Sequence, residues 1–137
     1  MEPHDVTRKL AAILSADVVG YSRLMQADEQ AAFEMLKACR AAIRRAVEQH
    51  AGRIVNAPGD SILAEFHSAV EAVRCAAEIQ HDLITRNSAL SPERRMEYRI
   101  GVNLGEVIEE SDGTLYGDGV NIAARLEGLA EAGGVCN

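Results

Sequence analysis

Two aspartates carry the first chemistry legible in this chain. Asp17 falls near the end of the apolar run "LAAILSADVV" (residues 10–19), and Asp60 stands in the corner Pro58-Gly59-Asp60 between "RIVNA" and "SILAEF". A carboxylate in an apolar strand is costly unless it is hydrogen-bonded, paired or bound to a metal. Taken alone, Asp17 has two readings, an acceptor for the backbone amides of the next turn or a ligand. Asp60 alone is an ordinary turn residue, because Gly-Asp corners are common hairpin chemistry. Brought together at one sheet end, beside the small-residue loop Gly20-Tyr21-Ser22, the pair suits two hard cations and a phosphate chain. Farther along, Asn121 and Arg125 lie one helical turn apart and share a face. An exposed Asn and Arg on a helix are usually only solvated.

The elements that must position these residues follow from periodicity. The run at 10–19, bounded by Gly20, reads as a buried central strand. Asp28 is placed to cap a helix with Glu29 in its first turn, and Ala32, Leu36, Cys39, Ile43 and Val47 form its apolar stripe before Gly52 ends it. "RIVNA" and "SILAEF" are the halves of a hairpin, and Ser68 opens a second helix to about Asn87 with Ala72, Ala76, Ile79 and Leu83 on one face. The connector 88–95 carries Pro92 and reads as a surface loop. "EYRIGVNLGEVIEE" alternates, with Tyr98, Ile100, Val102 and Leu104 facing one way and Glu97, Arg99, Gly101 and Asn103 the other, and it invites a turn at Gly105. A last helix is expected over 120–130, with Ile122, Leu126 and Leu129 as the stripe that meets the sheet. The order strand, helix, strand, strand, helix, strand predicts an α+β fold: a ferredoxin-like βαββαβ core with an antiparallel sheet and helices on one face. In that topology the first strand neighbours the hairpin, which brings Asp17 within a few ångströms of Asp60.

At 137 residues the chain is one domain, 1–137, with a single core. Its 21 acidic against 14 basic side chains leave a formal charge of −7, and no basic stripe interleaves with aromatics, so nucleic acid is excluded as the expected partner. Cys39, Cys75 and Cys136 match no zinc or redox spacing and read as reduced, mostly buried apolar residues. His4, His50, His67 and His81 form no cluster. No stretch has signal or membrane-span length, which predicts a cytoplasmic protein.

Four stretches, "ADVVGYS", "AGRIVNAPGDSILAEF", "YRIGVNLGEV" and "LYGDGVNIAARLEGLAEAGG", resemble in order and spacing the catalytic domain of class III nucleotidyl cyclases, from about Lys9 to the end of the chain. The resemblance implies conversion of ATP to 3′,5′-cyclic AMP and pyrophosphate with two Mg²⁺ or Mn²⁺ ions per site. Asp17 and Asp60 then correspond to the metal-binding aspartates, with the carbonyl of Val18 as a further ligand. Gly20, Tyr21 and Ser22 correspond to the loop whose amides hold phosphates, and Asn121 and Arg125 to the transition-state pair. Such enzymes are homodimers whose sites take metals from one subunit and this helix from the other.

The sequence departs from that pattern where adenylate-specific members commonly carry Lys and Asp to read the purine. Here those positions hold Asn56 and Thr114, each able to donate or accept. Thr at this position occurs among bacterial members that resemble adenylate cyclases, which keeps ATP ahead of GTP. The family domain also continues beyond "GGVCN" into further strand and helix, including a late basic residue that grips the triphosphate. A second reading therefore stands beside the enzyme: a cyclase-like module that binds nucleotide or dimerises for regulation without catalysis.

Overall fold

Two long strands organise the molecule. In the computed structural model, which describes residues 6–137, β1 (Val6–Val18) pairs antiparallel with the strand Tyr98–Glu110 over its whole length, from Val6 opposite Glu110 to Val18 opposite Tyr98. His4 lies outside the described residues. Between these strands the chain runs through α1 (Tyr21–Ala27), α2 (Glu29–Gln49), β2 (Arg53–Asn56), β3 (Ile62–Phe66) and α3 (Ala69–Ser88), so that the strand at 98–110 is β4. After it come β5 (Leu115–Tyr116), α4 (Asp118–Leu129) and β6 (Val135–Cys136). The sheet order is β2-β3-β1-β4-β5, with β6 parallel to β4 at Ile100 and Gly101. This is the expected split arrangement, with β1 beside the hairpin.

Local signals account for most boundaries. Asp28 Oδ1 accepts the Ala31 amide at 3.0 Å and Ser68 Oγ accepts that of Glu71 at 3.2 Å, each relieving an orphan donor in the first turn of its helix. The helix stripes predicted from spacing are buried: Leu36, Cys39, Ile43 and Val47 of α2 and Ala72, Ala76, Ile79 and Leu83 of α3 pack against Ala12, Leu14, Ala16 and Val18 of β1. Both crossover helices thus cover one face of the sheet.

Three local expectations change. β4 runs straight through Gly105 without a turn, because its pairing with β1 continues unbroken to Glu110. Leu104 is half-exposed, since α2 and α3 cover only the Asp17 end of these long strands. The last helix, α4, lies on the opposite face of the sheet from α2 and α3, and it does not rest there on Ile122, Leu126 and Leu129. Ala123 is fully buried against Ala11, Ile13, Val107 and Leu115, while Ile122 is 38% and Leu129 74% exposed. The reason is steric. A Cβ at Gly101 would stand 2.2 Å from the Glu127 amide nitrogen and 2.3 Å from the Ala123 carbonyl oxygen, and one at Gly119 2.7 Å from the Glu106 carbonyl. Where α4 crosses Gly101 and Gly119, helix and strand backbones approach so closely that no side chain fits on those two residues, and Ile122 and Leu129 turn outward.

Beyond α4, charged groups line the same face. Lys9 Nζ meets Glu65 Oε2 and Glu109 Oε1, both at 2.7 Å, and Arg53 reaches Glu65 Oε1 at 2.7 Å, Glu109 Oε2 at 3.0 Å and the Gly113 carbonyl at 3.0 Å. Arg53 thereby ties the strand that ends in Asn56 to the turn that carries Thr114.

Candidate active site

At the end of β1 the hairpin corner lies against the strand. The Val18 amide donates to Asp60 Oδ2 at 3.1 Å, which sets the corner of the β2–β3 hairpin against the residue that follows Asp17. The corner is a tight turn closed by Ser61 N–H to the Pro58 carbonyl at 2.9 Å, with Gly59 in the left-handed region at φ 57°. Asp17 is held by a side chain rather than by amides of the next turn. Arg99, directly opposite it on β4, donates through Nη2 to Oδ2 at 3.0 Å and through Nε to Oδ1 at 3.3 Å. A forked guanidinium on a partly buried carboxylate is a directional pairing that fixes the carboxylate plane.

The stretch Gly20-Tyr21-Ser22 is the start of α1 rather than a free loop. Gly20, at φ 64°, is its N-cap without a side-chain cap bond, and Leu24 N–H makes the first helical bond back to the Gly20 carbonyl at 3.1 Å. No simple apolar period marks so short a helix. Tyr21 packs on the edge of the main core.

Beneath Asp17, on the α4 side, lie groups the sequence reading did not single out. Ser15 Oγ donates to Glu127 Oε1 at 3.0 Å. The Glu127 carboxyl is pushed up to about 7, chiefly by burial and further by the neighbouring charge of Asp17, while the Ser15 hydrogen bond and Arg99 oppose the shift. Strict alternation along β1 and β4 would have placed Ser15, Asp17 and Arg99 on one face. The rotation of α4 that adds Glu127 has no local signal.

The remaining candidates are not gathered at Asp17. Ala123 and Glu127 face the sheet, and Asn121 and Arg125, each two residues away and so about 160° around the helix, are exposed on the far side. Asn56 ends β2, four residues before Asp60, and its Oδ1 accepts the Ala57 amide at 3.0 Å. Thr114 lies in the β4–β5 turn, where its carbonyl accepts the Glu110 amide at 3.0 Å. Glu110 pairs with Val6, the opposite end of β1 from Asp17. A straight strand of 13 residues spans roughly 40 Å.

Among the described residues no cluster of three or more His, Cys, Asp or Glu stands ready for an ion. A cation at this strand end would rest on the two aspartates and backbone oxygen. That donor set is all hard oxygen and fits Mg²⁺ or Mn²⁺ completed by water and phosphate. Cys39, Cys75 and Cys136 are free thiols, the first two buried, and none lies in such a cluster.

Comparison with known proteins agrees with this architecture. Residues 6–136 match the model described as adenylate and guanylate cyclase catalytic domain. The chain belongs to that family, the class III cyclases. It is 47% identical over 136 residues to "Putative adenylate cyclase 3" of Rhizobium meliloti (strain 1021), which spans 98% of this chain and 23% of that protein. It is 31% identical to an adenylate cyclase of Anabaena cylindrica, over 96% of this chain and 29% of that one. A crystal structure of an adenylate/guanylate cyclase/hydrolase from Silicibacter pomeroyi superposes with a TM-score of 0.88 at 42% identity, covering 96% of this chain and 76% of that one. The chain thus spans about a quarter of the length of these two curated relatives. No described helix is long and apolar enough to cross a membrane.

Proposed function

We propose that this domain cyclises ATP to 3′,5′-cyclic AMP and pyrophosphate in the cytoplasm, at a site shared between two copies of the chain. The observation that carries the proposal is the rotation of α4. Its Ala123 and Glu127 are committed to their own sheet, so Asn121 and Arg125 present themselves to a partner rather than to the Asp17 of the same chain. Exposed Ile122 and Leu129 flank them and supply apolar surface for such a contact.

Within this reading Asp17, Asp60 and the Val18 carbonyl hold Mg²⁺ or Mn²⁺, two ions per site. When bound, these ions lower the pKa of the ribose 3′-hydroxyl and neutralise charge on the triphosphate. Amides of Gly20, Tyr21 and Ser22 hold the phosphates. The 3′-oxygen bonds to the α-phosphorus as the bridging bond to the β-phosphate breaks, the hydroxyl proton is lost, and pyrophosphate leaves in line. Arg125 of the partner subunit stabilises charge on the α-phosphate and Asn121 of the partner subunit orients the ribose, both acting by position and charge.

Two hydrogen-bond commitments, both on the subunit that supplies Asn121 and Arg125, favour ATP over GTP. Asn56 spends its carbonyl oxygen on the Ala57 amide, leaving its NH₂ as a donor. The Thr114 amide is committed to Asp112 Oδ1 at 2.9 Å, while its hydroxyl is able to accept from a base amino group. A donor and an acceptor complement adenine N1 and its amino group, whereas guanine presents the reverse pattern.

Subunit complementation tests the composite site. Asp17→Asn and Arg125→Ala homodimers should both be inactive. In a two-fold dimer a mixed pair has one doubly damaged and one intact site, so co-folding equal amounts should restore roughly a quarter of wild-type activity. A mixture as inactive as its parents after verified subunit exchange, with active wild type in hand, would place Asp17 and Arg125 in one subunit and refute the arrangement.

A further inference from the structure

The β2–β3 corner is weakly held by its own strands. The ladder between β2 and β3 shifts register between Ile54 and Asn56, and its last pair is Asn56 with Leu63. Residues 57–61 then rely on the Ser61 to Pro58 bond within the turn. Among the described residues two groups from elsewhere in the fold hydrogen-bond this corner. One is the Val18 amide, on Asp60 Oδ2. The other is Arg40, in the middle of α2, whose Nη2 donates to the Ala57 carbonyl at 3.0 Å and to the Gly59 carbonyl.

These two attachments pull on different parts of the turn. Val18 engages the carboxylate from β1, and Arg40 engages the backbone from the helical layer, on both sides of Pro58. A guanidinium is planar and pre-organised, so a single nitrogen that serves two carbonyls dictates their relative orientation. That fixes the Cα of Asp60, which follows Gly59 immediately, and the backbone at Ala57, whose amide engages Asn56.

We propose that Arg40 is a positioning residue for Asp60, holding the hairpin corner so that Asp60 and Asp17 share a divalent cation. The proposal rests on the reading of these aspartates as the metal site. It has a sign that distinguishes it from simple electrostatics. Removing a positive charge close to a cation site should strengthen cation binding by Coulomb's law. Removing a group that orients a ligand weakens binding, by 10- to 100-fold for outer-shell partners of metal ligands.

The test is titration with Mn²⁺ alone, following the free ion by electron paramagnetic resonance, on wild type, Asp60→Asn, Arg40→Met, Arg40→Lys and a control, Ile79→Val. Ile79 is buried in α3 away from the hairpin corner, and its truncation lowers global stability by a modest cavity effect. The expected result is loss of binding in Asp60→Asn, affinity about tenfold or more weaker in Arg40→Met, an intermediate value in Arg40→Lys, and wild-type affinity in the control. Should Arg40→Met fail to fold, Arg40→Lys carries the comparison. Wild-type or tighter Mn²⁺ affinity in the folded Arg40 variants, with Asp60→Asn still deficient, would overturn the role of Arg40 and leave the metal site standing. Equal weakening in Ile79→Val would overturn it too, as an effect of global stability. Absence of Mn²⁺ binding by wild type would overturn both the metal site and the brace built on it.

Discussion

Gly101→Ala tests the close packing that sets the rotation of α4. The added methyl would meet Glu127 N at 2.2 Å, Ala123 O at 2.3 Å and Glu127 Cα at 2.8 Å, all backbone atoms that cannot rotate aside. Favourable contact begins near 3.5 Å, so α4 must retreat by roughly 1 Å or the strand must bend by as much. Overpacking of this kind costs about 1–3 kcal/mol, and the upper end is expected where the obstacle is main chain. A helix displaced by about 1 Å also misplaces Asn121 and Arg125, which should lower turnover about 10²-fold. Gly128→Ala is the matched control. It lies in the same helix with nothing within 4 Å of its new methyl, so it should stabilise the protein by about 0.5–1 kcal/mol through helix propensity. Urea unfolding at fixed protein concentration, with m-values checked for constancy, measures both. A Gly101→Ala midpoint equal to wild type, or a loss in Gly128→Ala matching that in Gly101→Ala, would refute the packing argument.

Base selection should follow the hydrogen-bond commitments at Asn56 and Thr114. Asn56→Asp, which replaces the outward donor with an acceptor, should shift the ratio of kcat/KM for ATP over GTP toward GTP by tenfold or more, about 1–3 kcal/mol for a lost bidentate match; an unchanged ratio would show that other groups read the purine. His50 caps the C-terminus of α2 and sits between Glu71 Oε1 at 2.9 Å and Glu78 Oε1 at 3.5 Å, with the Glu71 hydrogen bond raising its pKa. A raised His pKa means the folded state binds the extra proton, so the stabilisation is full below the ordinary value of about 6.5 and is lost as pH rises through the raised one. Thermal unfolding of wild type and His50→Gln should therefore differ most in mildly acidic buffer and converge in alkaline buffer; a gap that widens with pH would contradict the pairing.

Much of this site is legible because its signals are local. Asp28 and Ser68 cap helices through bonds three residues long, and the stripes of α2 and α3 repeat within two turns, so composition and spacing suffice. The approach of Asp17 to Asp60 follows from strand order alone, since an antiparallel neighbour must pass its turn beside the end of β1. Arg99 was visible only as a member of the polar face of β4; its pairing with Asp17 required the register of two strands 82 residues apart. Arg40 reads in sequence as one more solvated arginine, because nothing local distinguishes it from Arg44 or Arg45.

The amino-acid sequence by itself determined the two long crossover helices, the α+β topology and the placing of Asp17 and Asp60 at one strand end, since hydrophobic periodicity and turn chemistry are encoded within a few residues. Tertiary structure alone decided which face of α4 meets the sheet. Counting apolar residues selects Ile122, Leu126 and Leu129, yet the glycines at 101 and 119 let backbone approach backbone so closely that Ala123 wins the buried position. Packing of that kind depends on the absence of side chains on elements distant in sequence, and it leaves Asn121 and Arg125 facing outward, where a second copy of the chain must meet them if the proposed reaction is to occur.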